Sequence, residues 1–336
     1  MTLPRIFLVV SLILFGAIGV AALAKKSKTA PQAQEVVQSE TLQPIEIDLT
    51  TLKPQGQEEV VVETTPEPEA CVETTPTAVQ DLPDVDRIGL LFQKNSPLPI
   101  VETITYKSKV SWKSGRSAWL VDYAAHHKTH LHFIARSING RPDYNAKPAA
   151  EGQMLNVLST NVNFYFYLVI DTSRCKLWLY AMLPDSNERI LLKTYNVGLG
   201  RQDSSKTSGF LTPTGRYSLG SRIAVYQPKM MGNYRGKRTE MITIFGTRWI
   251  PFEKELNNCS EPAKGYGIHG TPWATTSEGR LADSLAGIGR YESDGCIRMK
   301  APDVEELYAI ITTRQAVVEI VSDFCKFGLP GKEKIL

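Results

Sequence analysis

Hydrophobic and polar positions divide this chain into four regimes. Residues 6–24 read IFLVVSLILFGAIGVAALA, nineteen positions without a charge. As a helix that run spans a hydrocarbon core of about 30 Å. Ala22-Leu23-Ala24 also fits a leader-cleavage site, so a membrane anchor and an export signal are both legible in 1–28. From 29 to 97 periodicity gives way to Pro, Thr, Gln and Glu, with no large aromatic before Phe92. Such a stretch buries too little apolar surface to offset chain entropy and reads as a disordered linker. In 98–160, positions 100–106 alternate like a strand. Positions 119–138 carry Leu120, Tyr123, Leu131, Ile134 and Ile138 at helical spacing, and 152–158 read as a turn followed by a strand.

The fourth regime, 162–322, is rich in short β-type runs. Positions 164–171, 175–181, 190–197, 241–245 and 316–321 read as strands, separated by Gly and Pro turns. The clearest helix is 302–312. Pro302 and Asp303 open it, and Val304, Leu307, Tyr308 and Ile311 form its apolar stripe. The expected class is mainly β, a sandwich or barrel-like domain with one main helix, preceded by a small α+β module and a disordered tether. Residues 323–336 are left as a C-terminal tail.

Composition sharpens this picture. With 42% hydrophobic and 22% charged residues the chain is excluded from the fully disordered and collagen-like classes. The net charge of +3 conceals a strong asymmetry: +4 over 1–28, −12 over 29–86 and +11 over 87–336. The acidic spacer repels itself and extends. The basic body suits an acidic partner. Nucleic acid is set aside, because the first segment directs export and no Lys/Arg stripe is present. Five cysteines in 336 residues are too few for a disulfide scaffold. Export permits a bridge among Cys175, Cys259 and Cys325, with Cys71 alone in the linker, but no pairing is readable.

Four of the five histidines, His126, His127, His130 and His132, cluster in the small module. One continuous helix would place His126 and His130 on the same face. No Cys or carboxylate accompanies them at ligand spacing, so they read as a half-buried or solvated face rather than a metal site.

The chemistry concentrates in two segments, Gly267-Ile268-His269-Gly270-Thr271-Pro272-Trp273 and Ser293-Asp294-Gly295-Cys296-Ile297-Arg298-Met299. His269 is the only histidine of the fourth regime. An extended 296–299 would send Cys296 and Arg298 to one face, where a guanidinium favours the thiolate. A cysteine in a Gly-rich, basic context together with a histidine is the minimal kit for acyl transfer. A buried cysteine and a core histidine are the alternative. Trp249, Tyr266 and Trp273 flank the histidine segment and are candidates to line a cleft.

The pair IHGTP and SDGCIRM resembles the signature of the YkuD-type L,D-transpeptidases. The likeness extends through VIDTSRCKLWLY, NVGLG, LTPTGRYSLG, IRMKAPDVEELYAII and VVEIV, about 160 residues in order. The resemblance implies a cysteine acyl-enzyme that cross-links peptidoglycan stem peptides and releases terminal D-Ala, with no cofactor and no metal. It makes Cys296 the nucleophile and His269 its base. The carbonyl of Gly270 orients the imidazole, and the amides of Gly295 and Cys296 form an oxyanion hole. Arg298 supports the cysteine loop or the substrate carboxylate. Ser293, Asp294, Tyr266, Thr271 and Trp273 are cleft candidates. FIARSING and EGQMLNVL within 98–160 resemble part of a LysM module, which binds glycan strands.

Two departures stand out. Asp294 occupies the place of the family's histidine, next to the Gly-Cys pair. It should raise the Cys296 pKa, unless Arg298 neutralises it. His269 and Cys296 lie 27 positions apart, and 275–292 reads as an insert forming a lid or an altered acceptor pocket. An L,D-carboxypeptidase or a wall–protein linking enzyme would share the acyl-enzyme. An inactive peptidoglycan-binding protein is the outcome if Asp294 disables the site. The expected location is the membrane, held through 6–24, with the catalytic domain in the periplasm or wall space.

Overall fold

The structure is a computed structural model describing residues 82–140, 149–220, 223–312 and 314–334. These all belong to one compact unit, 49–336, and the other unit, 1–48, lies outside them. Among the described residues no helix is long and apolar enough to cross a membrane; the expected span at 6–24 lies outside them.

The chain enters the fold earlier than composition suggests. Asp86 pairs with Lys193 at 2.9 Å, and α1 (Ile88–Phe92) sends Ile88 and Leu91 into the main core. Residues 82–97 are therefore not part of a disordered linker: two apolar side chains per helical turn suffice to dock them. The module that follows runs β1 (Val101–Thr105), α2 (Leu120–His126), α3 (Leu131–Asn139) and β2 (Met154–Leu158). Its two strands pair antiparallel, Val101 opposite Leu158. Tyr106, Tyr123, Ile134, Leu155 and Val157 form a small core of their own. The periodic stretch 119–138 is two helices rather than one. His130 caps α3, its Nδ1 accepting from the amide of His132 at 3.2 Å, so His126 and His130 do not share a helical face. Asn156, buried on β2, donates to the carbonyls of Leu91 (2.9 Å) and Gln93 (2.8 Å), tying the end of α1 to the module.

The main sheet begins with β3 (Tyr165–Asp171), β4 (Lys176–Leu183) and β5 (Glu188–Asn196), followed by β6 (Leu199–Gly200), β7 (Gly215–Leu219) and β8 (Ala224–Val225). A separate hairpin, β9 (Met231–Tyr234) and β10 (Lys237–Glu240), leads into α4 (Ile242–Phe245). The expected strand at 241–245 is thus one helical turn. A run of five residues cannot declare a period, and here the amide of Phe245 bonds back to the carbonyl of Met241 before Gly246, at φ 60°, ends the turn. Then come β11 (Arg248–Asn257), β12 (Gly267–Gly270), β13 (Trp273–Thr275), β14 (Leu281–Asp283), β15 (Tyr291–Ser293), β16 (Ile297–Met299), α5 (Ala301–Ile311), β17 (Ala316–Val321) and β18 (Lys332–Glu333).

The strand order is β16-β12-β11-β7-β17-β3-β4-β5-β18, with β8 attached to β11. The fold is mainly β, as the sequence predicts. The residues set aside as a tail instead supply β18, parallel to β5, and a 3₁₀ turn around Phe324.

Strands β3 and β4 are buried along nearly their whole length, so both faces are covered. Phe166, Leu168, Ile170, Leu177 and Leu179 face the core shared with Val304, Leu307, Ile310 and Ile311 of α5. On the other face Trp178 stacks on Phe324, centroids 4.0 Å apart, and donates to the carbonyl of Pro83 at 2.8 Å. The module is tied to this body through Glu306, which receives Arg136 at 3.3 Å, Lys193 at 2.7 Å and the Tyr195 hydroxyl at 2.9 Å. Trp178→Ala removes the clamp between the entering chain and the C-terminal turn. It should cost about 3–5 kcal/mol in denaturant unfolding; a loss below about 1 kcal/mol would contradict this packing.

Candidate active site

Strands β12 and β16 lie side by side and parallel, with Ile268 opposite Ile297 and His269 opposite Arg298. Both isoleucines are fully buried, which turns the alternate positions, His269 and Arg298, to the other face. Cys296 immediately precedes β16, and its thiol donates to the carbonyl of Gly265, just before β12, at 3.6 Å. His269 and Arg298 thus share one face, and the charge of Arg298 reaches both the imidazole and the thiol.

His269 is buried, with Nδ1 2.7 Å from the carbonyl oxygen of Gly270. Phe245 and Trp249 flank its ring at centroid distances of 5.4 Å and 5.9 Å. Burial lowers its pKa to about 4, with the charge of Arg298 adding to the effect; hydrogen bonds to the backbone of Gly270 and Phe245 oppose it. The Cys296 thiol moves the other way, pushed up to about 11 chiefly by burial. Gly267, Arg298 and Arg235 pull it down, and Asp294 adds to the rise. Arg298 favours the thiolate, as expected, but desolvation outweighs the guanidinium. The resting pair is a neutral thiol and a neutral imidazole.

The cysteine loop is held from within. Ser293, buried, donates through Oγ to the carbonyl of Cys296 at 2.6 Å and accepts from the amide of Gly295 at 3.1 Å. Ser293 is a staple rather than a cleft residue. The Gly295 amide, expected in an oxyanion hole, is engaged by that hydroxyl. Gly295 itself has φ 117°, and a Cβ there would lie 2.6 Å from the Tyr266 ring and 2.7 Å from the carbonyl of Leu211. Thr212, also buried, accepts from the amide of Gly200 at 2.7 Å and donates to the carbonyl of Gly295 at 3.0 Å. One hydroxyl thereby joins the NVGLG, LTPTG and SDGC segments.

Other expected site residues fall differently. Thr271 is buried, its hydroxyl bonded to the Asp283 carboxylate and its amide to the carbonyl of Met299 at 2.8 Å. It ties strands together and does not line a cleft. Asp283 also receives the first amide of α5, from Ala301, at 3.1 Å. The expected insert thus begins within the β13–β14 hairpin and carries β14, which Asp283 fastens to both the histidine segment and the helix. Trp273, half-buried, starts that hairpin. Tyr266 is half-buried against Gly295, with the Cys296 charge within reach. Asp294 does not pair with Arg298; its carboxylate meets Arg201 at 2.7 Å and Arg235 at 3.1 Å. Phe245, Arg201 and Arg235 escape sequence reading because they lie 51–95 positions from Cys296, on elements whose docking no local pattern announces.

Among the described residues no cluster of three or more His, Cys, Asp or Glu side chains could hold a metal. Cys175, Cys259, Cys296 and Cys325 are free thiols.

With this geometry in view, residues 165–320 match the family model of YkuD, the L,D-transpeptidase catalytic domain. Over that segment the chain is similar to L,D-transpeptidases. Solved structures align at low identity. Bd1075 of Bdellovibrio bacteriovorus aligns at 16% identity and TM-score 0.33, covering 47% of this chain and 49% of its own. The helical cell shape determining protein Pgp2 from Campylobacter jejuni aligns at 16% and 0.31, covering 51% and 53%. L,D-transpeptidase 3 from Mycobacterium tuberculosis aligns at 12% and 0.27, covering 51% and 76%. This chain spans about half the length of the first two. No curated protein matches it.

The histidines make a testable statement about pH. Burial lowers His269 and His130 to about 4, below an unfolded value near 6.5. The unfolded chain therefore binds protons first as pH falls. Each group's contribution is complete above about pH 6.5 and is lost toward pH 4, by up to about 1.4 kcal/mol per unit. Denaturant unfolding of wild type and His269→Gln across pH 7 to 4 should show a shallower decline in the variant. Parallel curves would contradict a neutral, buried His269.

Proposed function

We propose that this chain is an L,D-transpeptidase that joins peptidoglycan stem peptides through a Cys296 acyl-enzyme. The observation that carries this reading is the parallel register of β12 and β16, which sets His269 opposite Arg298, with Cys296 immediately before β16. The family match over 165–320 supports the same class.

The proposed chemistry follows from the two shifted groups. A thiol with a pKa of about 11 stays protonated at neutral pH and needs a base as it attacks. His269, held neutral and anchored through Nδ1 to Gly270, takes that proton at Nε2. Sulfur adds to the carbonyl carbon of the third, L-configured centre of a stem tetrapeptide. The backbone contacts of Gly270 and Phe245 favour the imidazolium that forms. With the Gly295 amide held by Ser293, the Cys296 amide is the oxyanion donor of the expected pair. The imidazolium returns its proton to the departing D-Ala amine. A side-chain amine of a second stem, deprotonated by His269, then opens the thioester and gives a 3→3 cross-link. Water as acceptor would make the enzyme an L,D-carboxypeptidase.

In this reading 6–24 anchors the chain, the acidic linker extends from the bilayer, and catalysis takes place in the periplasm or wall space. The βααβ module before the catalytic domain takes glycan strands, in keeping with its LysM-like sequence.

The test is covalent capture. The full chain with a carbapenem should gain one adduct by mass, absent in Cys296→Ala. With tetrapeptide stems, D-Ala release should fall by about 10²–10⁴-fold in His269→Gln. A folded protein that forms no adduct and releases no D-Ala would overturn the proposal. Any fragment used should begin at or before Leu82, because Ile88 and Leu91 belong to the core.

A further inference from the structure

Asp294 lies two positions before Cys296 and carries its carboxylate between two guanidiniums, Arg201 at 2.7 Å and Arg235 at 3.1 Å. No step above uses these arginines. They come from elements far apart in sequence. Arg201 follows β6 and donates its amide to the carbonyl of Ser293 at 3.0 Å, which fixes its backbone beside the cysteine loop. Arg235 is the tip of the β9–β10 hairpin, at φ 50°, with its guanidinium 5.3 Å from the Tyr234 ring. Arg235 and Asp294 both act on the Cys296 thiol through their charges.

The bridge is open to solvent. Side-chain exposures are 59% for Arg201, 69% for Arg235 and 49% for Asp294. Pairs so exposed contribute little to folding, about 0–1 kcal/mol. They exchange readily for another carboxylate of matching geometry, and two converging guanidiniums are well suited to bind one. A third cation, Arg298, lies two positions after Cys296 and acts on its thiol through its charge. In the proposed reaction the departing D-alanine bears a free carboxylate one residue beyond the attacked carbonyl, and Asp294 lies two residues before the attacking cysteine.

We propose that Arg201 and Arg235 form the subsite for the terminal carboxylate of the acyl donor, and that Asp294 fills this subsite until the donor arrives. The assignment of that carboxylate to a stem D-alanine rests on the L,D-transpeptidase reading. Asp294 is then an internal competitor, which turns away chains lacking a carboxylate able to displace it.

Binding can be read without turnover. The full chain carrying Cys296→Ala is titrated calorimetrically with a stem tetrapeptide ending in free D-Ala, and with the same peptide ending in a carboxamide. The free acid should bind about tenfold more tightly. Arg201→Gln and Arg235→Gln should each shrink that preference to about threefold or less, with thermal unfolding unchanged within about 2 °C. Asp294→Asn should tighten the acid several-fold and leave the amide as it was. Equal affinities for the two peptides overturn the proposal, as do arginine variants that keep the preference or an Asp294→Asn variant that weakens the acid. Retained preference alongside no D-Ala release by the Cys296 protein would overturn the reaction and keep the subsite; release without preference would do the reverse.

Discussion

The site rests on the pairing of two very short strands, β12 and β16, brought parallel from segments separated by the β13–β14 hairpin. Three ladder positions suffice because Ile268 and Ile297 are driven into the core, which leaves the intervening residues no choice of face. A slip of one residue would bury Arg298 and expose the isoleucines. The same register that satisfies the core therefore turns His269 and Arg298 together to the opposite face, with Cys296 immediately before β16. Asp283 reinforces this from outside the ladder by holding Thr271 and the start of α5 at once.

Burial sets the protonation of the reacting groups. A thiol raised to about 11 and an imidazole lowered to about 4 are both neutral at physiological pH. Neither can be charged cheaply without the other, so proton transfer and carbon–sulfur bond formation are coupled. Arg298 cannot reverse this, since its charge favours the thiolate and disfavours the imidazolium. The backbone does more of the orienting than side chains do. The Gly270 carbonyl holds the ring, and Ser293 and Thr212 lock the cysteine loop through its own amide and carbonyls. Such a loop holds its shape without help from a ligand.

The small module is more than a neighbour. Glu306 on α5 collects Arg136 from α3 and Lys193 and Tyr195 from β5, so one carboxylate joins the module, the edge of the sheet and the helix behind the site. Pro83 of the entering segment and Phe324 of the C-terminal turn close the opposite face over Trp178. Segments that composition would class as linker and tail are structural because a sheet buried on both faces needs cover on both.

Much was legible from residues alone. The aromatic and β-branched run of β3, the alternation in β4 and the Pro-Asp opening of α5 each declare their element through local rules. The two chemical segments announce themselves by a lone histidine and a lone Gly-flanked cysteine with arginine two positions on. Tertiary structure decided what those rules do not reach. It folded 241–245 into a turn that places Phe245 against His269, because a run of five residues carries no period. It turned Ser293 and Thr271 inward and Asp294 outward, since facing depends on which partner each strand finds. It also let burial override Arg298 at the thiol, because desolvation is a property of the packed whole and not of sequence neighbours.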